Sequence, residues 1–230
     1  NGWSVTRTSF RMFIQINERL SFSTRNNLYY RVEYYRLTNG NRRLRSAYRR
    51  VSSAAAHFGG FFAVLNGLRE TNVYRARIRL YRRRGRTYSA VSDWSDYFYS
   101  TTTGNSRKSR ARTATVLRGL KQFDEQQRGR IGTNGSVRVN GTRFDAGRDE
   151  WWCSEFYRWA AMPFVRGLGD ATSVGRMEDA FDDFDGLYDE DDIPELGKRG
   201  DYVSQGSNSS TSRGHSSMLL AYDESTGTPR

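Results

Sequence analysis

The chain has 230 residues, of which 36% are hydrophobic and 27% charged, and its formal net charge is +12. This length suits one large domain or two small ones, and an aromatic content of 14% argues against wholesale disorder. The single cysteine excludes a disulfide framework and a four-cysteine zinc site. No stretch approaches the ~18 consecutive apolar residues that a membrane helix requires. Because the chain begins at Asn1 without the apolar core of a signal peptide, we expect a processed or trimmed product.

Positive charge is concentrated in the first half of the chain. Residues 1–112 carry 23 basic against 5 acidic residues, whereas residues 113–230 carry 14 against 20. Nearly all of the basic residues are arginines, whose planar guanidinium binds phosphate, sulfate and carboxylate groups. A genome that favours arginine codons would give the same bias. The asymmetry predicts two units with different partners.

The first half has the alternating pattern of half-buried strands. Within Tyr74–Leu80, the apolar residues Ala76, Ile78 and Leu80 alternate with arginines. An Arg-rich turn follows, and Thr87–Ser89 begins the return strand. Further strands are expected at 11–16, 28–35 and 61–65, with a tight turn at Asn39-Gly40 and no convincing helix. The pattern predicts an all-β sandwich over residues 1–103 with a basic outer face. The expected anion-binding surface comprises Arg75, Arg77, Arg79, Arg82, Arg83 and Arg84.

Leu68 and Tyr74 have the spacing of the tyrosine corner in fibronectin type III domains. The run Tyr88–Ser95 is similar to the last strand of that family, so residues 3–103 resemble a fibronectin type III module. The resemblance implies a binding or spacing role. The insert 52–57 fits no part of it, and we interpret His57 as an ordinary loop histidine. The polar, basic residues 104–115 are predicted to be a linker.

A helix is predicted to begin near the only cysteine. Trp152, Phe156 and Trp159 have helical spacing, with Asp149 as N-cap and Pro163 marking the end. A thiol in the first helical turn is favoured as thiolate, which makes Cys153 a candidate nucleophile. A merely buried structural cysteine is the alternative.

An acidic run over residues 178–195 partly matches a calcium loop. The candidate ligands are Asp183, Asp185, Asp189 and Asp192, but Phe181 stands at the first ligand position and cannot bind a cation. We therefore favour a solvated acidic surface with Phe181, Phe184 and Leu187 packed inward. No other metal site and no cofactor are expected.

His215 is predicted to open an apolar strand that runs to Asp223, after a short strand at 200–204. A thiol and a histidine on separate elements are the minimum for an activated cysteine. The segments Trp152–Phe156, Gly200-Asp201 and Gly214-His215 together resemble the CHAP branch of the papain-like amidases and peptidases over residues 116–230.

The resemblance implies an α+β papain-like domain in which Cys153 attacks an amide carbonyl and His215 is the general base. The third polar residue of the family has no identifiable counterpart here. Asp223, eight residues beyond His215, is too far along the strand to orient it.

The leading hypothesis is a secreted or envelope-associated hydrolase of peptidoglycan amide bonds, targeted to an anionic envelope polymer by the basic module. The alternative is a non-catalytic adhesin or assembly subunit on a degenerate CHAP fold, with homo- or hetero-assembly. Nucleic-acid binding is ranked last because the arginines lack interleaved base-stacking aromatics in the sequence.

Overall fold

A computed structural model describes residues 4–17, 20–39, 42–127, 138–139, 142–143, 153–168, 174–182, 193–205, 215–223 and 228–229. The chain divides into two compact units, residues 1–104 (unit 1) and 105–230 (unit 2). Its sheets are antiparallel, and strands dominate unit 1. None of the helices in the described ranges is long and apolar enough to cross a bilayer.

Unit 1 is built mainly of strands. Its elements are β1 (Ser4–Val5), β2 (Ser9–Gln15), α1 (Phe22–Asn26), β3 (Leu28–Arg36), β4 (Leu44–Arg45), β5 (Arg49–Arg50), α2 (Ser53–His57), β6 (Gly60–Asn66), β7 (Val73–Arg84), β8 (Thr87–Ala90) and β9 (Phe98–Thr101). The smaller sheet has the order β1-β2-β6. In the larger sheet β3 pairs with β4, β5 and β7, and β7 also pairs with β8 and β9.

The two sheets of unit 1 enclose one apolar core. Phe10 and Leu65 from the smaller sheet and Val32 and Ile78 from the larger one belong to the same buried cluster. The alternation predicted for Tyr74–Leu80 is confirmed, because Ala76, Ile78 and Leu80 are buried while the intervening arginines are half-buried. Strand β7 continues to Arg84, so the turn lies at Gly85, whose φ of 57° is in the left-handed region that glycine tolerates.

Two short helices correct the prediction that the first half contains none. In each helix a serine caps the first turn: Ser21 Oγ accepts a hydrogen bond from the Thr24 N–H, and Ser52 Oγ accepts one from the Ala55 N–H. The insert 52–57, which fitted no strand, is therefore a capped helical turn. His57 lies at its end, and its Nδ1 is 2.7 Å from the Ser53 carbonyl oxygen. Gly40, in the predicted tight turn, lies outside the described residues.

The linker predicted over 104–115 is wrong from residue 107 onward. Helix α3 (Arg107–Gln127) begins there, and Ser106 Oγ accepts a hydrogen bond from the Ser109 N–H at its start. Arginine and alanine are good helix formers, and Val116 and Leu120 give the helix a buried face. The basic composition that suggested a solvated linker instead forms the exposed side of a helix.

Unit 2 combines helices with short antiparallel pairs of strands. After α3 its described elements are β10 (Arg138–Val139), β11 (Thr142–Arg143), α4 (Cys153–Ala161), α5 (Val174–Asp182), α6 (Ile193–Leu196), β12 (Tyr202–Gln205), β13 (His215–Met218), β14 (Tyr222–Asp223) and β15 (Thr228–Pro229). Strand β12 pairs with β13, and β14 pairs with β15. The strand predicted to run from His215 to Asp223 is instead two strands separated by residues 219–221. At Leu219 the backbone accepts a hydrogen bond from the Gly200 N–H and donates one to the Asp201 carbonyl oxygen.

Candidate functional site

Cys153 and His215 each stand at the start of a regular element in unit 2. Cys153 is the first residue of α4, so its backbone lies in the first helical turn as predicted. His215 is the first residue of β13 and pairs with Gln205 of β12. Trp152 and the predicted N-cap Asp149 lie outside the described residues. Both candidate residues are thus placed by backbone elements whose later residues are well packed.

Helix α4 packs directly against β13. Met218 of β13 packs on the buried Trp159 and Ala160 of α4, together with Phe156. Helix α3 closes the third side at Gly119, where an added Cβ would lie 3.3 Å from Met218 Cε and 3.5 Å from Phe156 Cζ. The predicted apolar role of Phe156 and Trp159 is confirmed. This three-element contact brings together the helix that begins at Cys153 and the strand that begins at His215.

The other face of α4 is held by a second cluster. The Tyr157 hydroxyl donates to the Gly200 carbonyl oxygen at 2.9 Å, which connects α4 to the turn before β12. Its ring packs on Tyr202 and Phe181, with centroids 5.1 and 6.3 Å away. The inward packing predicted for Phe181 is confirmed by this contact. Since α4 is buried on both faces, its register relative to β12 and β13 is fixed.

Charged groups bind the turn before β12 to α3. Asp201 forms an ion pair with Arg112 and accepts a hydrogen bond from the Lys198 N–H at 2.7 Å. Arg199 is buried and donates to Thr113 Oγ1 at 2.7 Å. Burial, together with the positive charge of Arg112, lowers the pKa of Arg199 to about 10. Arg199 still carries its proton at neutral pH, so its role here is that of a buried hydrogen-bond donor.

The arginines of β7 in unit 1 form a ladder with aromatic rings. The guanidinium of Arg75 lies 3.7 Å from the ring centroid of Tyr97, and that of Arg77 lies 4.8 Å from Trp94. Arg79 lies 5.8 Å from Trp94 and donates from Nε to the Ser92 carbonyl oxygen at 2.9 Å. These side chains are stacked and half-buried, which reduces the charge they present to a ligand.

A buried carboxylate anchors the middle of this ladder. Glu33 of β3 lies opposite Arg77, which donates to it from Nε at 2.9 Å and from Nη2 at 2.6 Å. Arg45 and Arg43 approach the other oxygen at 3.2 and 3.4 Å. Burial works to raise the pKa of Glu33, but the hydrogen bonds and charges of these arginines outweigh it, and the pKa is lowered. Burial works to lower the pKa of Arg77, but the hydrogen bond and negative charge of Glu33 outweigh it, so the pKa of Arg77 is raised.

Residues 91–97, between β8 and β9, position the aromatic rings of the ladder. Ser95 Oγ accepts a hydrogen bond from the Ile78 N–H, and Ser92 Oγ accepts one from the Leu80 N–H, both at 3.0 Å. These two bonds hold Trp94 over the arginines of β7. Aromatic rings more than ten residues away in the sequence therefore stack on these arginines in space, and the low rank given to nucleic-acid binding stays a prediction. The signal in the sequence is the run Ser92–Ser95, in which two serines frame a tryptophan.

The remaining predicted anion-binding residues lie at the β7–β8 hairpin. Arg82 donates to Ser23 Oγ at 3.1 Å, and Arg83 donates to the Gly85 carbonyl oxygen at 2.8 Å and to the Tyr29 hydroxyl at 3.3 Å. Arg84 and Arg86 are exposed. The six arginines predicted as one surface therefore divide into a stacked ladder and an exposed hairpin.

The calcium candidates Asp183, Asp185, Asp189 and Asp192 lie outside the described residues. Within the described part of the chain, no group of three or more histidine, cysteine or acidic side chains is placed to hold a metal ion.

Comparisons with known proteins give no family. No family model matches the chain, and no curated protein matches it. A solution structure of the sensor domain of the anti-sigma factor RsgI4 from Pseudobacteroides cellulosolvens matches 44% of this chain and 70% of its own length, at 13% identity and a TM-score of 0.30. A shorter version of that domain gives the same identity and TM-score over 88% of its length.

These findings overturn the two resemblances drawn from the sequence. The Tyr74 hydroxyl does accept a hydrogen bond from the Arg69 N–H at 2.8 Å, so the local motif forms. A corner of a few residues does not define a family, however, and the comparisons support neither a fibronectin type III module nor a CHAP domain. The chain is described by its fold alone, as antiparallel β-sheets with few helices.

Proposed function

We propose that the chain is a secreted or envelope-associated cysteine hydrolase that cleaves amide bonds, with peptidoglycan as the substrate class. The observation that supports it is the packing of α4 against β13, since one element begins at Cys153 and the other at His215. The proposal rests on this placement and on the chemistry of the two residue types, and it takes no support from a family.

In the proposed reaction His215 accepts the thiol proton while Cys153 Sγ bonds to the amide carbonyl carbon. The backbone N–H of Cys153 donates to the developing oxyanion, as amides at helix starts do. The C–N bond then breaks, and the imidazolium returns its proton to the leaving amine. Water, deprotonated by His215, cleaves the thioester and releases a carboxylate product and the free thiol. No third residue is assigned, because Asp223 belongs to β14 rather than to the strand of His215.

The pH dependence of Cys153 alkylation by iodoacetamide tests the proposal without a known substrate. This cysteine is the only thiol in the chain, so the signal has one source. We expect a midpoint below the ordinary thiol value of about 8.5, and its return toward that value in His215→Ala. The matched control is His57→Ala, which removes the other of the two histidines and should leave the midpoint unchanged. A midpoint at or above about 8.5, or no reaction in the folded protein, would refute the proposal that Cys153 is an activated nucleophile.

Release of amine and carboxylate ends from purified sacculi tests the substrate class. Cys153→Ala should abolish release and keep the wild-type melting temperature. Release that survives this substitution would show that Cys153 is not the nucleophile. If the wild type releases nothing from sacculi but its Cys153 alkylation midpoint lies below about 8.5, the activated cysteine would be supported and peptidoglycan would be rejected as the substrate.

A non-catalytic adhesin or assembly subunit is the second candidate. It is favoured by unit 1, which carries 19 arginines and no lysine against five acidic residues. This composition suits contact with an anionic polymer whether or not unit 2 is active. The two candidates differ at the thiol: an ordinary alkylation midpoint together with retention on sacculi would select the adhesin.

A further inference from the structure

One end of unit 1 exposes phenylalanine rings beside arginines. Phe22 of α1 is 72% exposed and Phe58, which caps α2, is 91% exposed. The two helices contact each other, and the Phe22 ring lies 5.6 Å from that of His57. Large apolar side chains this exposed, on adjacent turns, are typical of a surface that meets another apolar phase.

Two further exposed phenylalanine rings lie on the smaller sheet of unit 1. Phe13 and Phe62 lie opposite each other on the outer face of the smaller sheet, 51% and 42% exposed, with centroids 5.4 Å apart. The Phe13 ring covers Gly60, where an added Cβ would clash with Phe13 Cζ. Gly60 follows Phe58 by two residues, so the Phe13 ring lies against the chain segment that carries Phe58.

The β7–β8 hairpin brings positive charge to this end. Arg82 donates to Ser23 Oγ at 3.1 Å and the Arg83 N–H donates to the Asn27 carbonyl oxygen at 3.1 Å, so the hairpin lies against α1. Arg25 belongs to α1 itself, and Arg50 donates to the Asn26 carbonyl oxygen at 3.3 Å. Exposed phenylalanines are thus flanked by several arginines.

The described acidic side chains of unit 1 lie elsewhere. Glu33 is buried in the larger sheet, Glu70 pairs with Arg7 at 2.8 Å, and Asp93 and Asp96 belong to the segment that holds Trp94. The charge near α1 and α2 from the described residues is therefore positive. Glu18 lies outside the described residues.

We propose that this surface docks unit 1 on an anionic lipid bilayer. It comprises the exposed rings of Phe22 and Phe58, the nearby Arg25 and Arg50, and the exposed Arg84 and Arg86 of the hairpin that lies against α1. The rings would enter the boundary between headgroups and acyl chains, and the arginines would bind lipid phosphates. A second copy of the chain fits less well, because it would place the same arginines against each other, in a unit that carries 19 arginines and five acidic residues. A neutral glycan would stack on the rings but would leave the arginines unexplained.

Co-sedimentation of the full chain with vesicles tests the proposal. Vesicles contain one part phosphatidylglycerol to two parts phosphatidylcholine, and phosphatidylcholine alone is the reference. We expect binding only to the anionic vesicles, weaker at high salt. Phe22→Ser with Phe58→Ser should weaken it about tenfold or more, since each ring loses its contact with the acyl region. Both rings project into solvent, so the folded melting temperature should not change.

The matched control is Leu44→Ser, which removes an exposed apolar side chain of β4 outside this surface and should leave binding unchanged. Absence of binding to anionic vesicles would overturn the proposal. Equal binding by the wild type and the double phenylalanine variant would also overturn it, because binding would then depend on charge alone. Self-association in sedimentation velocity that the double variant abolishes, without vesicle binding, would assign the surface to a second copy. Cys153→Ala should bind vesicles like the wild type, so this result is independent of the proposed hydrolase.

Discussion

Arginine has two different environments along the same strand of unit 1. Arg75, Arg77 and Arg79 are half-buried and stacked on Tyr97 and Trp94, whereas Arg84, five residues beyond Arg79, is exposed at the hairpin. The difference arises from what covers the strand. Residues 91–97, which follow β8, place Trp94 and Tyr97 over Arg75, Arg77 and Arg79, and neither ring stacks on Arg84. Positive charge in a sequence therefore indicates a binding surface only where nothing in the fold already neutralises or covers it.

The largest effect is expected from the buried carboxylate of the ladder. Glu33→Ala removes the acceptor of Arg77 and Arg45 and leaves their charges close together, so we expect a loss of about 3 kcal/mol in the free energy of unfolding of unit 1. Hydrogen exchange of β3 and β7 in urea measures this loss. Glu70→Ala breaks the exposed pair with Arg7 and should cost much less stability than Glu33→Ala. Equal losses from the two substitutions would contradict a structural role for Glu33.

A smaller loss is expected when the ladder loses a ring. Trp94→Ala uncovers Arg77 and Arg79 and should destabilise unit 1 by about 1–2 kcal/mol. Trp94→Phe retains a ring and should recover part of the loss, with the same hydrogen-exchange measurement. If Trp94→Ala is as stable as the wild type, the stacking adds no stability and the arginines are available to a ligand.

Acid should remove the contribution of Glu33. Its pKa is lowered in the folded state, so its stabilisation is present above the ordinary carboxylate pKa of about 4.3 and is lost as the pH falls through the folded-state pKa. The melting temperature of the wild type should exceed that of Glu33→Gln by several degrees near neutrality, and the difference should shrink below about pH 4. A difference that is constant down to pH 2 would contradict the sign of this shift.

The smallest effect on stability is expected at the hairpin. Arg84→Ser with Arg86→Ser should change the free energy of unfolding by no more than about 0.5 kcal/mol, because both side chains are exposed. The same pair should weaken retention on a heparin column, which measures accessible positive charge. If a variant that replaces Arg75 and Arg79 elutes from heparin earlier than the hairpin variant, the ladder arginines would be the more accessible ones, contrary to the comparison drawn above.

Periodicity in the sequence predicted the strands of unit 1 well but not what covers them. The alternation over Tyr74–Leu80 fixes which side chains face the core, since a strand has a period of two residues. The partners of the outward arginines come from Glu33 and Trp94, which are more than ten residues away in sequence. Their approach depends on strand pairing and register, which local pattern does not encode.

In unit 2 the starts of elements were easier to predict than their continuation. The apolar spacing of Phe156 and Trp159 predicted a helix with Cys153 in its first turn, and α4 begins at Cys153. The strand from His215 was predicted too long because Leu219, Leu220 and Ala221 continue its apolar run. At Leu219, where it ends, the backbone accepts a hydrogen bond from the Gly200 N–H and donates one to the Asp201 carbonyl oxygen, and both partners lie about twenty positions away in the sequence.

The serines that hold Trp94 also satisfy two backbone donors on the edge of β7. Strand β7 is twelve residues long, and β8 and β9 pair only with its two ends. The N–H groups of Ile78 and Leu80 between them would form an open edge, the kind of edge on which strands of other molecules add. The hydroxyls of Ser95 and Ser92 accept those two hydrogen bonds instead. The backbone N–H groups of Val91 and Ser95 donate in turn to the Leu80 and Ile78 carbonyl oxygens. This stretch of the edge is therefore already occupied by the chain itself and is closed to a strand of a neighbouring chain.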